Sequence, residues 1–235
     1  MPEFTLTLRE VREEATDTRT FAFDSEPRVV ARPGQYLLVS LDAPGDPRRG
    51  SRSLSIASAP SDPGLLLTTR VRTASPFKRA LDGLAVGDRI RAKGPLGRFY
   101  LPEGDAPAVL IAGGIGVTPF RAMVRASIDA GRRSPVSLIT SDRTPDSIVF
   151  REEFDAWSVA HPWFTVTRTV TRPAESGAPW TGPVGRIDER RIGPALRAGA
   201  VLVAGPPSFA DGMQALLASA GIPGDRVQIE RFQGY

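Results

Sequence analysis

Val109-Leu110-Ile111-Ala112-Gly113-Gly114-Ile115-Gly116-Val117-Thr118-Pro119 reads as a buried strand, a glycine-rich turn and the start of a helix. Thr118 suits an N-cap, because its hydroxyl can accept one of the first free N–H groups. Pro119 suits the first helical position, where its missing N–H would have had no partner. Free N–H groups and the helix dipole attract an anion there, and Gly114 and Gly116 let a phosphate approach the backbone. The same residues also suit a plain tight turn, so their surroundings decide what they do.

Downstream, a strand over 136–141, a helix over 147–157 and a strand over 163–169 follow, and 188–197, 200–204, 207–220 and 226–230 continue the alternation. Strands alternating with helices predict a parallel sheet covered on both faces, with ligands beyond the carboxyl ends of its strands. The second strand ends in Ser141-Asp142-Arg143. Ser141 and Arg143 there would take a 2′-phosphate and favour NADP(H), Asp142 a 2′-hydroxyl and NAD(H), and a solvated turn is the third reading. Ala204-Gly205-Pro206-Pro207 ends a later strand and is either a second ligand edge or a turn. Residues 171–185, rich in Pro and Gly and containing Trp180, read as a loop.

Upstream the pattern differs. Phe4, Leu6 and Leu8 alternate, as do Phe21 and Phe23, and 35–41, 51–58, 65–71 and 88–93 complete about six short strands punctuated by Gly and Pro. One short helix over 76–84 interrupts them, with Phe77, Ala80, Leu81 and Leu84 at helical spacing. The expected architecture is therefore β followed by α/β: an antiparallel six-stranded barrel over 1–103, then a parallel-sheet domain over 104–235.

The 235 residues carry no cysteine and one histidine, His161, which excludes disulfides, thiolate-held clusters and histidine-rich metal sites on this chain. Lys and Arg number 30, of which Lys78 and Lys93 are the only lysines, against 26 acidic residues. This dispersed excess suits an acidic protein partner or phosphate ligands better than nucleic acid. Met1-Pro2-Glu3-Phe4 has neither a basic leader nor an apolar segment, and no 18-residue apolar run follows; a cytoplasmic monomer is expected.

In the first half, Arg52-Ser53-Leu54-Ser55-Ile56-Ala57-Ser58 combines a guanidinium suited to bidentate phosphate contact with hydroxyls that donate and accept. Thr69-Arg70-Val71-Arg72 and Ala74-Ser75-Pro76-Phe77 end one strand and open the helix, a second place for an anion. Together with Pro33-Gly34-Gln35-Tyr36, Gly94-Pro95-Leu96-Gly97-Arg98-Phe99, the glycine turn, Ala204-Gly205-Pro206-Pro207 and Glu230-Arg231-Phe232, these segments resemble, in order and over the whole chain, the ferredoxin–NADP reductase superfamily.

The resemblance implies an FAD-binding barrel and an NADPH-binding domain, NADH being the other candidate nucleotide. It places Arg52, Ser53 and Leu54 against the flavin, Ser55 beside its N5, and Thr69, Arg70 and Val71 along ring and linker. Ala74, Ser75 and Phe77 would embrace the pyrophosphate, and Thr118 would stand between flavin and nicotinamide. Gly114, Gly116, Ser141 and Arg143 would hold the nucleotide, Gly205 and Pro206 border the nicotinamide, Glu230 approach the reacting centre, and Phe232 or Tyr235 cover the flavin. Ser55 and Glu230 are the expected catalytic residues. Leu54 stands where the family usually has Tyr, Ala204 where it often has Cys, and Gln233-Gly234-Tyr235 extends past the aromatic position. The implied activity is hydride transfer from NADPH to FAD, then single-electron delivery to an acidic acceptor such as a ferredoxin, a flavodoxin or an oxygenase component. Alternatives are an NADH-dependent oxygenase reductase and a non-catalytic, nucleotide-responsive flavin-fold subunit.

Overall fold

The computed structural model describes every residue except Arg72, Thr73, Asp105 and 233–235. It divides into two compact units, one of residues 1–100 with 118–126, the other of 101–117 with 127–235.

The first unit holds β1 (Glu3–Ala15), β2 (Thr18–Glu26), β3 (Tyr36–Ser40), β4 (Ser51–Ser55), β5 (Leu65–Arg70), α1 (Pro76–Asp82) and β6 (Arg89–Leu96). All pairings are antiparallel, in the order β4-β3-β6-β1-β2-β5. The two outer strands meet where Ile56 bridges Leu67 and Ala57 N–H donates to Leu66 O at 2.9 Å, so the sheet curls back towards a barrel. The period-two patterning explains the closure. Phe4, Leu6 and Leu8 alternate inward with Phe21, Phe23, Leu37, Val39, Leu54 and Leu67 into one apolar core, which Phe77 and Leu81 of α1 complete. Six strands were expected and six form, in the expected antiparallel arrangement.

The second unit holds β7 (Ala108–Gly113), β8 (Val136–Asp142), β9 (Phe164–Val170), β10 (Ala200–Gly205) and β11 (Val227–Arg231), all parallel in the order β11-β10-β7-β8-β9. Helix α2 (Thr118–Asp129) follows β7, α3 (Arg151–Ala160) follows β8, and α4 (Pro207–Ser219) follows β10. Continuous apolar runs such as Ala108–Gly113 and Ala200–Gly205 are buried throughout, as strands covered on both faces must be.

Three local expectations need correction. Thr118 is not an N-cap: a 3-10 turn over Gly114–Val117 runs directly into α2, so the helical run starts four residues early. The helix expected over 147–157 is displaced to Arg151–Ala160. Its cause is a closed turn ahead of it, in which Thr144 N–H donates to Ser147 Oγ at 3.1 Å and that hydroxyl donates to Thr144 O at 2.8 Å, followed by left-handed Phe150 at φ 56°. Between β9 and β10 no full helix forms among the described residues, only 3-10 turns over Pro173–Glu175 and Gly193–Arg197. Trp157 and Trp163, both half-buried, pack on Phe154 and Phe164 with ring centroids at 5.5 and 6.0 Å.

Candidate functional site

In the first unit the expected flavin residues lie along β4, β5 and α1. Arg52 and Leu54 share one face of β4, and Ser53 and Ser55 the other, because side chains alternate along a strand. Leu54 belongs to the barrel's apolar core. The hydroxyls of Ser53 and Ser55 have no hydrogen-bond partner among the described residues, so they can meet an outside donor or acceptor.

Arg52 is nearly buried and is not idle. Its Nη2 donates to Asp46 Oδ1 at 2.5 Å and its Nη1 to Asp46 Oδ2 at 2.9 Å, a bidentate pair, with the guanidinium 5.1 Å from the Phe77 ring centroid. Asp46 also accepts the N–H groups of Gly50 at 2.9 Å and Arg48 at 3.0 Å. The Arg52 hydrogen bonds above all hold its carboxyl down to about 2, against the opposing effect of desolvation and with help from the Gly50 N–H. Asp46 has no distinctive signal in the sequence, being an Asp six residues before an Arg in a turn of Pro and Gly. A phosphate reaching Arg52 must share the guanidinium with this carboxylate.

Thr69 is fully buried and accepts a hydrogen bond from the buried Lys78 ammonium. Lys78 is a second residue that the sequence motifs do not single out; the available signal is that it sits three residues before core Leu81 on a seven-residue helix. Phe77 is fully buried in the barrel core. Ser75 caps α1, accepting Lys78 N–H at 3.4 Å, while Ala74 is exposed and Arg70 and Val71 are half-buried. Thr118 is buried at the start of α2, whose Arg121 donates to Ala57 O and to Asp62 Oδ2, both at 2.9 Å. A cavity of about 730 Å³ lies in this unit, lined by Phe23, Arg28, Ile56, Ser58, Asp62 and Leu65 among others; none of the expected cofactor residues is among its described lining.

In the second unit the expected nucleotide residues gather at the carboxyl ends of the parallel strands. A Cβ on Gly116 would stand 2.2 Å from the Ala204 carbonyl oxygen, so only glycine lets the turn lie against the end of β10. A Cβ on Gly205 would stand 2.7 Å from the ring of Phe209, a residue whose only signal in the sequence is that it is a lone aromatic in the first turn of α4. Pro206 precedes that helix and accepts Phe209 and Ala210 N–H at 3.0 Å. Phe232 N–H donates to Gly205 O at 2.8 Å, extending the ladder past β11. Tyr235 lies outside the described residues.

Glu230 pairs with Ala204 across the β10–β11 ladder. Its Oε2 is buried without a hydrogen-bond partner among the described residues, and burial pushes its carboxyl up to about 7. Glu230 is thus a proton-holding group poised near neutrality in a parallel sheet's ligand edge. Ser141, one residue before the end of β8, has its hydroxyl unpartnered among the described residues. Asp142 is buried at 4% exposure and accepts from Thr140 Oγ1 at 3.1 Å. Arg143 is exposed and bound to Glu175, with Nε at 2.6 Å and Nη2 at 2.5 Å from Oε2.

These residues fit the two cofactors. A guanidinium and two unpartnered hydroxyls on β4 suit a flavin, and a glycine turn at the carboxyl end of β7, in the parallel sheet, suits the phosphates of a dinucleotide. Among the described residues no group of three or more His, Asp or Glu could hold a metal ion, and no helix is long and apolar enough to cross a membrane.

Comparison with known proteins agrees with this division. Residues 5–100 match the family model of the oxidoreductase FAD-binding domain and residues 110–215 that of the oxidoreductase NAD-binding domain. The stachydrine N-demethylase reductase subunit of Rhizobium meliloti is 32% identical over 93% of this chain and 64% of its own length. The toluate 1,2-dioxygenase electron transfer component of Pseudomonas putida is 30% identical over 85% of this chain and 58% of its own. The chain therefore spans about three fifths of these two curated relatives. A crystal structure of a ferredoxin NADP+ reductase from Neisseria gonorrhoeae superimposes with a TM-score of 0.79 at 19% identity, covering 98% of this chain and 99% of that one, which establishes the shared fold. With one domain model matched by each half in the expected order, this chain belongs to the oxidoreductases that join an FAD-binding to an NAD-binding domain, in the fold it shares with that ferredoxin NADP+ reductase.

Proposed function

We propose that this chain is a flavoprotein reductase that takes electrons from a nicotinamide nucleotide and delivers them to the terminal component of an oxygenase system. The observation that carries the reading is that one chain carries both the Arg52–Ser55 segment of β4 and, in its second unit, the glycine turn that closes on Ala204 O. The oxygenase acceptor draws on the names of the demethylase and dioxygenase relatives. Ferredoxin and flavodoxin are the other acceptors to be tried. Because these 235 residues contain no cysteine, electrons leave for a redox centre outside them.

Bound together, flavin and nicotinamide would supply hydride transfer and the release of electrons one at a time. The chain's own groups bind and orient. Arg52 neutralises a flavin phosphate oxygen in exchange with Asp46, and the Ser55 hydroxyl gives and takes a hydrogen bond at the ring edge. Gly116 lets the turn that faces the dinucleotide lie against the end of β10, and Glu230 holds a proton on its carboxyl below about pH 7.

Anaerobic titration with NADH and NADPH, followed by release and identification of the bound flavin, tests this reading. A yellow protein that yields FAD and bleaches with one equivalent of nucleotide is expected. A colourless protein that takes up no added FAD would overturn it and support the non-catalytic alternative. Arg52→Ala should weaken FAD binding about 10- to 100-fold, the worth of about one hydrogen bond to a charged group, read by fluorescence titration of the apoprotein. An unchanged dissociation constant removes Arg52 from the site. Exposed Arg48 and Arg49 stand beside Arg52 in sequence, and turnover with an acidic acceptor should slow as salt screens the basic excess. Rates independent of ionic strength would exclude electrostatic steering.

A further inference from the structure

We propose that Glu175 sets the choice between the two nicotinamide nucleotides, holding Arg143 and Arg172 in ion pairs so that a ribose 2′-hydroxyl is accepted in preference to a 2′-phosphate. The inference rests on the nucleotide-binding reading above and gives it a coenzyme, NADH. Three groups carry it. Arg143 follows Ser141 at the carboxyl end of β8, the edge where an open parallel sheet receives its ligand. Both Nε and Nη2 of Arg143 point at Glu175 Oε2, at 2.6 and 2.5 Å, so the edge of the fork that would grip a phosphate is already filled. Arg172 Nη1 donates to the other oxygen, Oε1, at 3.2 Å. One carboxylate thus engages both guanidiniums, and Arg143 pulls its carboxyl below the usual range first, with Arg172 adding to the effect.

The carboxylate is held there by backbone. Thr171 N–H donates to Asp142 O at 2.9 Å and Arg172 N–H to Arg143 O at 2.7 Å, which stitches the segment after β9 to the end of β8. A 3-10 turn over Pro173–Glu175 then fixes where Glu175 stands, closed by its N–H on Arg172 O at 3.1 Å. The pairs are exposed, with 61% of the Arg143 side chain accessible, so they add little to stability, whereas an incoming ligand meets them directly. A 2′-phosphate carries about −1.5 to −2 charge and would have to displace Glu175 while lying against it. A 2′-hydroxyl is a donor, and Glu175 is an acceptor. Asp142, the acidic residue that adjacency would nominate, is buried against Thr140 and cannot serve.

The test compares 5′-AMP with adenosine 2′,5′-bisphosphate, which carry the adenosine ends of NAD and NADP, by titration calorimetry at low salt on the flavin-loaded protein and on Glu175→Gln and Glu175→Ala. The original protein should bind 5′-AMP at least as tightly as the bisphosphate. Either substitution should shift the ratio of dissociation constants towards the bisphosphate about tenfold, with a matching fall in the KM for NADPH. Adding Arg143→Ala to Glu175→Gln should cancel the gain. A ratio within twofold of the original, with 5′-AMP still bound, overturns the inference alone. Failure of the original protein to bind either nucleotide overturns it together with the reading on which it rests.

Discussion

Replacing Glu230 with Gln should abolish a loss of stability that the original protein suffers as pH rises from about 4.5 to about 7. The sign follows from where the proton sits. Burial raises the Glu230 carboxyl from 4.5 to about 7, so over that interval the folded chain keeps a proton that the unfolded chain has released. A fold that binds more protons than its unfolded state loses stability as protons become scarce. The stabilising contribution is complete below about 4.5 and gone above about 7. A shift of this size corresponds to about 3 kcal/mol, or roughly 6 to 12 °C in Tm for a protein of this length. Thermal melts of the original and Glu230→Gln proteins at pH 5 and pH 8 should therefore diverge. The original loses this increment and the variant does not, whatever the constant offset between them. Parallel pH dependences would show that Glu230 is solvated or paired in solution. The unpartnered Oε2 is what makes the effect large, since a single donor within reach would pull the carboxyl back down.

What the sequence discloses and what it hides divide along one physical line. Period-two runs such as Phe4-Thr5-Leu6-Thr7-Leu8 can bury one face only as half-covered antiparallel strands, and runs such as Val201-Leu202-Val203-Ala204 only as strands covered twice, so both sheets were legible. The glycine turn was legible because a close approach leaves no other residue possible at Gly116. The partners of the charged groups were not. Arg52 meets Asp46 through the folding of an irregular loop, and Arg143 meets Glu175 through backbone bonds between the ends of two strands, the two side chains lying 32 residues apart in sequence. Neither encounter leaves a period or a spacing. The same limit explains Asp142: strand alternation decides which way its side chain points, and a displacement of one residue reverses it. Arginine-rich motifs thus locate a phosphate site more easily than they reveal its competitors.

Gly116→Val should be the most damaging single substitution at the nucleotide turn, costing about 3 kcal/mol and abolishing nucleotide binding. Its first side-chain carbon would lie 2.2 Å from the Ala204 carbonyl oxygen and 2.5 Å from the carbonyl carbon. Both atoms belong to the backbone of β10, which is held on one side by β7 and on the other by β11. The strand cannot yield without breaking ladders, so the turn over Gly114–Val117 must lift away from it. Overpacking of this kind costs more when the obstruction is backbone than when it is the end of a flexible side chain. A control separates the clash from the general effect of replacing glycine. Gly212 lies within α4, and a methyl group there would meet nothing within 4 Å, so Gly212→Ala should stabilise by about 0.5 to 1 kcal/mol through helix propensity. Melting both variants with and without 5′-AMP distinguishes the two effects. Gly116→Val should melt roughly 6 to 12 °C lower and show no ligand-induced rise, while Gly212→Ala should melt slightly higher and keep it. If Gly116→Val bound nucleotide normally, the turn would have room that the Ala204 carbonyl denies it, and the phosphate cradle would have to be sought at another strand end.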